Sequence, residues 1–163
     1  MEPFVVEPRP TTYAGFWKRF LAYIIDGILL WVVSAILLVP LFGMLGLGEL
    51  EGLLDGDLDS SMGFLITLLS TYVATIFAMI IAGWLYYALM ESSSRGATLG
   101  KIVLRIRVTD MVGNNISFGT ASGRYFGKML SGLIFYIGFI MAGFTQQKQA
   151  LHDMLAGCLV VND

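Results

Sequence analysis

The feature that most constrains this chain is a continuous apolar stretch, residues 17–42, that carries an aspartate in its interior. About 20 apolar residues rising ~1.5 Å each span the hydrocarbon core of a bilayer, so the stretch predicts a membrane helix. The aspartate is Asp26, and Arg19 stands at the start of the same stretch. Inserting a carboxylate at that depth costs roughly 2.5–3.5 kcal/mol of free energy, so we expect Asp26 to have a structural or functional role.

Two further apolar blocks complete the membrane part of the chain. Hydrophobic residues make up 56% of the sequence, above the level of about 45–50% typical of soluble domains. The second block, residues 62–90, has no charge and is long enough to span with tilt. The third segment, 118–147, follows Ser117, a predicted N-cap, and is interrupted by glycines. It either crosses once or turns back as a re-entrant hairpin. The hairpin is favoured, because it returns the apolar C-terminal strand to the side of the membrane where a partner strand is available.

The distribution of charge predicts the orientation. All ten Lys and Arg lie outside residues 43–90, and the segment 43–61 is predicted to be an acidic loop. The positive-inside rule puts the N-terminus, the irregular interfacial leader at 1–15 and segment 91–117 in the cytoplasm, with the acidic loop outside.

Alternating side chains in KIVLRIRVTD predict a strand within segment 91–117. ISF after the turn DMVGNN is a candidate for the returning strand of a hairpin. The C-terminal segment, 148–163, ends in the apolar run GCLVVN, and a lone strand needs a partner, for which LRIRV is available.

Buried charges are the candidate functional groups. Asp26 is either a carboxylate that exchanges protons or cations, or a hydrogen-bond hub that holds helices together. If the third segment turns back, Asp153 reaches the interface where Arg19 lies, and we expect an ion pair between them. Asp26 is then left to a third-helix cation, or to water and tyrosine hydroxyls. The possible partners among the remaining ionisable residues are Glu91, Arg124, Lys128 and His152.

Small residues recur every four positions along the third block, at Gly119, Gly123, Gly127 and Ser131. They share one helix face, and such a stripe lets a neighbouring helix approach closely. The neighbour can belong to the same subunit or to another copy.

Three motifs resemble the RDD family of small bacterial membrane proteins, which is named for one arginine and two aspartates. They are FWKRFLAYIIDG with Arg19 and Asp26, GATLGKIVLRIRVTD in the middle, and QALHDMLAG with Asp153. The resemblance implies a single membrane domain over residues 1–163, in the inner membrane of a bacterium. It also implies participation in transport of poorly defined ligands.

The expected fold is an all-α integral membrane protein with two spanning helices, a third broken or re-entrant segment and a small cytoplasmic β element. No nucleophile–base pair, metal-ligand spacing or phosphate loop is visible, so we expect no enzyme, cofactor, metal site or nucleic-acid partner. The expected function is transport of a cation, proton or small ligand using a buried carboxylate. A non-transporting membrane scaffold acting through helix packing is the alternative. So short a chain offers few helices, so we expect a homo-oligomer in the lipid bilayer.

Overall fold

A computed structural model describes residues 12–54, 58–133 and 137–163 of the chain. The elements in chain order are α1 (Phe16–Leu54), α2 (Leu58–Ser92), α3 (Leu99–Val103), β1 (Ile106–Asp110), α4 (Phe118–Leu133), α5 (Ile137–Ile140), a 3₁₀ turn (Met141–Gly143), α6 (Leu151–Leu155) and β2 (Cys158–Asn162). This architecture confirms the predicted helical membrane fold with a small β element. Most of the predicted leader, residues 1–11, lies outside the described part of the chain.

Two helices are long and apolar enough to cross a membrane, over Phe16–Pro40 and Met62–Ser92. Large apolar side chains such as Trp31, Ile36 and Phe77 are exposed along them. A water-soluble fold buries such extensive apolar surface, whereas a bilayer solvates it. The two spans agree with the blocks identified in the sequence.

The helices extend beyond those blocks. The first helix was predicted to end with the apolar stretch at residue 42, and this was wrong, because α1 continues through Pro40 to Leu54. A proline removes one backbone hydrogen bond without ending a membrane helix. The predicted acidic loop at 43–61 is helical at 43–54 and 58–61, while residues 55–57 lie outside the described residues. Extending a nucleated helix costs little where leucine and glutamate favour it.

The chain divides into two compact units, one formed by residues up to Asp26 and from Tyr86 onward, the other by Gly27–Leu85. The second unit contains only the remaining parts of α1 and α2. The first unit contains the short helices, both strands and every ion pair described below. The first unit therefore contains the candidate functional site.

The two strands pair antiparallel, from Ile106 opposite Asn162 to Asp110 opposite Cys158. Tyr13 forms an isolated bridge with Val161, which places both ends of the described chain beside one sheet. The predicted local hairpin within 91–117 was wrong, because the C-terminal strand is the partner of β1. Only Ile116 and Ser117 separate the turn DMVGNN from α4, and Ser117 Oγ accepts the Thr120 N–H at 3.1 Å as the N-cap.

The strand also begins later than the alternating pattern indicates, because residues 99–103 form the helix α3. Arg105 ends that helix with a φ of 52°, the left-handed conformation that commonly follows a helix, and turns the chain into β1. The alternating side chains therefore predict the strand correctly only after Arg105.

The third apolar segment is sharply bent. The axes of α4 and of Ile137–Gly143 differ by 117°, so these two helical parts do not form one straight span. Helix α6 then packs against α4, where a Cβ atom on Gly127 would lie only 3.0 Å from His152 Cβ. The absence of a side chain at Gly127 thus permits the close approach that brings the C-terminal segment against the middle of α4.

Candidate functional site

Asp26 is a buried hub of hydrogen bonds from three elements. Its carboxylate accepts from the Tyr86 hydroxyl of α2 at 2.7 Å, the Thr98 hydroxyl at 2.6 Å and the Gly100 backbone N–H of α3 at 2.7 Å. A Cβ atom on Gly100 would lie 2.3 Å from the backbone oxygen of Ala22, so only glycine lets α3 approach α1 this closely. The donors are neutral, and they tie α1, α2 and α3 together.

The expected tyrosine partner of Asp26 is thus present, but the expected third-helix cation is not. Within the described residues, no ion pair involves Asp26, since Arg124 and Lys128 both pair with Glu91. Three well-placed donors already satisfy the Asp26 carboxylate, and this removes the need for a charged partner.

Glu91, near the end of α2, is fully buried and accepts from three cations. Lys101 Nζ lies 2.5 Å from its carboxylate, Arg124 Nη1 2.9 Å and Lys128 Nζ 3.1 Å. The cations come from α3 and from successive turns of α4. Charge-assisted hydrogen bonds of this length are the strong ones, so Glu91 fixes α2, α3 and α4 to one another.

Asp153 is the second buried carboxylate, and Arg124 links it to Glu91. Arg124 Nη2 lies 2.6 Å from Asp153, while Arg19 Nη1 donates to the other oxygen of the same carboxylate. The Ala150 N–H also donates to Asp153, at 3.0 Å. The Arg19–Asp153 ion pair expected from the sequence is therefore present, within a larger network.

We call this network the charge cluster. It contains four cations and two carboxylates, namely Arg19, Lys101, Arg124, Lys128, Glu91 and Asp153. Positive groups therefore outnumber negative ones, which is expensive in a buried site unless further negative charge is nearby.

The protonation states outside the membrane spans follow from burial and from neighbouring charges. Burial opposes ionisation of Asp153, but Arg124 and Arg19 outweigh it and hold the pKa of Asp153 below its usual range. Burial lowers the pKa of His152 to about 3, so its imidazole is neutral near pH 7. Burial also lowers the pKa of Lys101 to about 7, against the attraction of Glu91.

A cavity of about 330 Å³ lies against the charge cluster. All four cations and His152 line it, whereas Glu91 and Asp153 do not, so the carboxylates lie behind the cations. Aromatic rings form much of the remaining wall: Phe16, Phe20, Tyr23, Tyr87 and Phe139. Lys128 Nζ also lies 4.2 Å from the centre of the Tyr87 ring, a cation–π contact. The cavity thus joins positive charge to an apolar surface.

Two buried guanidinium nitrogens in this wall lack an acceptor among the described residues, Arg19 Nη2 and Arg124 Nε. His152 Nδ1 also has no hydrogen-bond partner there. Arginine stays protonated in proteins, so its unpaired N–H groups remain donors that require an acceptor. Unpaired buried donors beside a cavity indicate that something else completes them.

The structure brings most sequence candidates into this region. Arg19, Arg124, Lys128, Glu91 and Asp153 form the cluster, His152 Nε2 lies 3.5 Å from Asp153, and Asp26 lines the cavity. The small-residue stripe divides: Gly127 and buried Ser131 pack inside the unit. Gly119 has only Ser117 Oγ within 4 Å of a Cβ position, and Gly123 has no described atom there.

Lys101 and Thr98 are the residues that sequence reasoning missed. In the sequence the basic residues of segment 91–117 indicate only the orientation in the membrane, whereas Lys101 is buried in the structure. A usable signal was present, because Glu91 directly follows an uncharged span and two cations one turn apart, Arg124 and Lys128, lie within the third apolar segment. No group of three or more His, Cys, Asp or Glu residues that could hold a metal ion occurs in the described parts of the chain.

Comparison with known proteins identifies the family. The sequence matches the RDD family over residues 13–157. It is 39% identical over 149 residues to the uncharacterized protein YxaI of Bacillus subtilis, covering 91% of this chain and 96% of the relative. It is 30% identical over 157 residues to the uncharacterized membrane protein YteJ of the same organism, covering 93% and 82%. No solved structure matches the chain. This chain is therefore a membrane protein that belongs to the RDD family.

Proposed function

We propose that this protein takes part in transport of a small ligand across the membrane, and that the charge cluster and its cavity contact the ligand. The observation that carries the proposal is the cavity itself, which lies against buried ionisable groups contributed by the ends of both long helices and by α4. Ionisable groups inside a membrane protein are costly, and they commonly mark the paths of substrates and ions.

The geometry favours a small ligand over a metal cation. The carboxylate oxygens of Asp26, Glu91 and Asp153 already accept between them from neutral donors and from four fixed cations. A metal cation would have to displace those donors while facing the positive wall of the cavity. Asp26 then acts by holding the elements around the cavity, and Lys101 is a group that can exchange a proton near pH 7.

We also propose an orientation of the protein in the membrane and a homo-oligomeric state. The exposed cations Arg95 and Arg105 lie beside the sheet that also holds Tyr13 and β2, so positive-inside reasoning assigns this side to the cytoplasm of a bacterial cell. Two spans with a bent third segment cannot enclose a path alone. We therefore assign the path to a homo-oligomer in the cytoplasmic membrane.

A non-transporting scaffold is the second candidate. The observation that favours it is the open space over Gly119 and Gly123, where another helix can approach α4 closely. A scaffold and a carrier both predict oligomers, so oligomer state does not separate them, whereas flux does.

The test is flux through purified protein in proteoliposomes. Internal dyes report proton and sodium movement under imposed gradients, and radiolabelled 4-phenylbutyrate reports movement of an organic anion. Flux above that of protein-free liposomes, reduced by Lys128→Met but not by the matched variant Arg95→Gln, would support transport. Flux of all three probes equal to the protein-free control would refute carriage of any of these species and favour the scaffold.

A further inference from the structure

We propose that the cavity is a binding site for an amphiphilic monoanion, a single carboxylate or phosphate group attached to an apolar body. This inference rests on the proposed function for its biological role, and it names the ligand class of that site. Binding is measurable without transport, so the two proposals can fail separately.

The residues around the cavity carry an excess of positive charge. Arg19, Lys101, Arg124 and Lys128 all line the cavity. Glu91, Asp153 and Asp26 are the carboxylates among their neighbours, so the cations still outnumber the carboxylates by one when Asp26 is counted as ionised and Lys101 as protonated. A buried excess of one positive charge is relieved by one negative charge, which a monoanion supplies.

Two arginines of the cavity wall have an unpaired guanidinium nitrogen. Arg19 Nη2 and Arg124 Nε have no acceptor within the described residues, and both belong to residues in the cavity wall. Both nitrogens are buried, so a ligand in the cavity meets them only when the two guanidinium groups turn toward it. Guanidinium groups bind carboxylate and phosphate oxygens with matching planar geometry, which makes an oxyanion the acceptor that fits.

Part of the cavity wall is apolar and aromatic. Phe16 and Phe20 stack with ring centres 5.9 Å apart, and Phe139 lies 5.1 Å from the His152 ring. These rings come from the first turns of α1 and from α5, and they line the same cavity as the cations of α3 and α4. A simple inorganic ion would leave this surface uncovered, whereas an apolar body would cover it. The volume, about 330 Å³, lies at the small end of ligand pockets.

One chemistry is available from two sources, a free organic acid and an anionic lipid headgroup with the first carbons of its chains. The first arm of the test uses full-length protein in a non-ionic detergent, titrated with 4-phenylbutyrate and followed by calorimetry and by the shift in Tm. The neutral 4-phenylbutyramide, of nearly equal shape, is the matched ligand control. The second arm measures phosphatidylglycerol retained over phosphatidylcholine after purification from mixed nanodiscs.

The expected result is binding of the acid without binding of the amide, or selective retention of phosphatidylglycerol. Arg19→Gln should weaken that binding by about tenfold or more, because it removes a charged donor. Arg95→Gln removes an exposed cation that does not line this cavity, and it should leave binding unchanged. Should Arg19→Gln not fold, Lys128→Met carries the same test, since Glu91 keeps two other cations.

The outcomes separate cleanly. Binding of the acid alone identifies a free anion as the ligand, and retention of phosphatidylglycerol alone identifies a lipid. Equal binding of acid and amide without lipid selectivity, or binding that the cavity variants leave unchanged, overturns the proposal. Binding without flux overturns only the transport role, and flux of protons or sodium without anion binding overturns only this inference.

Discussion

Replacing Glu91 by glutamine tests whether one buried carboxylate balances three cations. Glu91 is fully buried and accepts from Lys101 at 2.5 Å, Arg124 at 2.9 Å and Lys128 at 3.1 Å. Removing one member of a buried ion pair costs about 3–5 kcal/mol, because the other charge is stranded. Here three charges lose one shared partner, so we expect a loss at or above the upper end of that range. Against a typical stability of about 5–15 kcal/mol, such a loss removes much of the folding free energy.

The charge excess makes the expected effects unequal. Lys128→Met removes a cation from a cluster in which cations are in excess, so we expect a loss of about 1 kcal/mol or less. Adding Lys128→Met to Glu91→Gln should recover part of the lost stability, because one of the stranded cations is gone. Glu91→Asp, which keeps the charge but shortens the side chain, should be intermediate.

The assay is unfolding in mixed micelles of non-ionic detergent and dodecyl sulfate, followed by far-UV circular dichroism. The free energy of unfolding is compared among wild type, both single variants and the double variant. A Glu91→Gln loss below about 1 kcal/mol, or a double variant less stable than Glu91→Gln itself, would refute the charge-balance reasoning.

Three further predictions use the same unfolding measurement. Asp153→Asn leaves Arg19 without its carboxylate and Arg124 with Glu91 alone, so it should cost about 3–5 kcal/mol, whereas Arg19→Gln leaves Asp153 a second arginine and should cost about 1.5–3 kcal/mol. The double variant should lose less than the sum, and strict additivity would contradict the pair. Gly100→Ala should cost about 1–3 kcal/mol, because its Cβ would meet a backbone oxygen of α1 at 2.3 Å. Gly123→Ala, with open space at the Cβ position, should be neutral or stabilising, and equal losses would argue against this packing. Because burial lowers the pKa of His152 from 6.5 to about 3, the unfolded chain takes up the proton first. Stability should therefore fall as pH decreases from 6.5 towards 3, by up to ~1.4 kcal/mol per pH unit, and His152→Gln should flatten that slope.

The sequence by itself determined the membrane architecture. Helix rise and bilayer thickness are fixed quantities, so the length of each uncharged block specifies a span without any knowledge of its neighbours. The blocks at residues 17–42 and 62–90 correspond to the observed spans Phe16–Pro40 and Met62–Ser92. Asp26 and Arg19 were identifiable for a similar reason, since a charge in or beside an apolar block is conspicuous in sequence, whereas Asp153 was singled out by the resemblance to the RDD family.

The tertiary structure alone decided which charges meet. Lys101 lies ten residues after Glu91 in a segment that reads as an ordinary basic loop, and only the packing of α3 buries it. Arg124, one of the alternative partners predicted for Asp26, instead joins Glu91 to Asp153, and three neutral donors from α2, α3 and Thr98 satisfy Asp26. Local pattern cannot predict such pairings, since the free energy of a buried charge depends on groups far away in sequence. The sharp bend after α4 and the close approach at Gly127 bring those groups together.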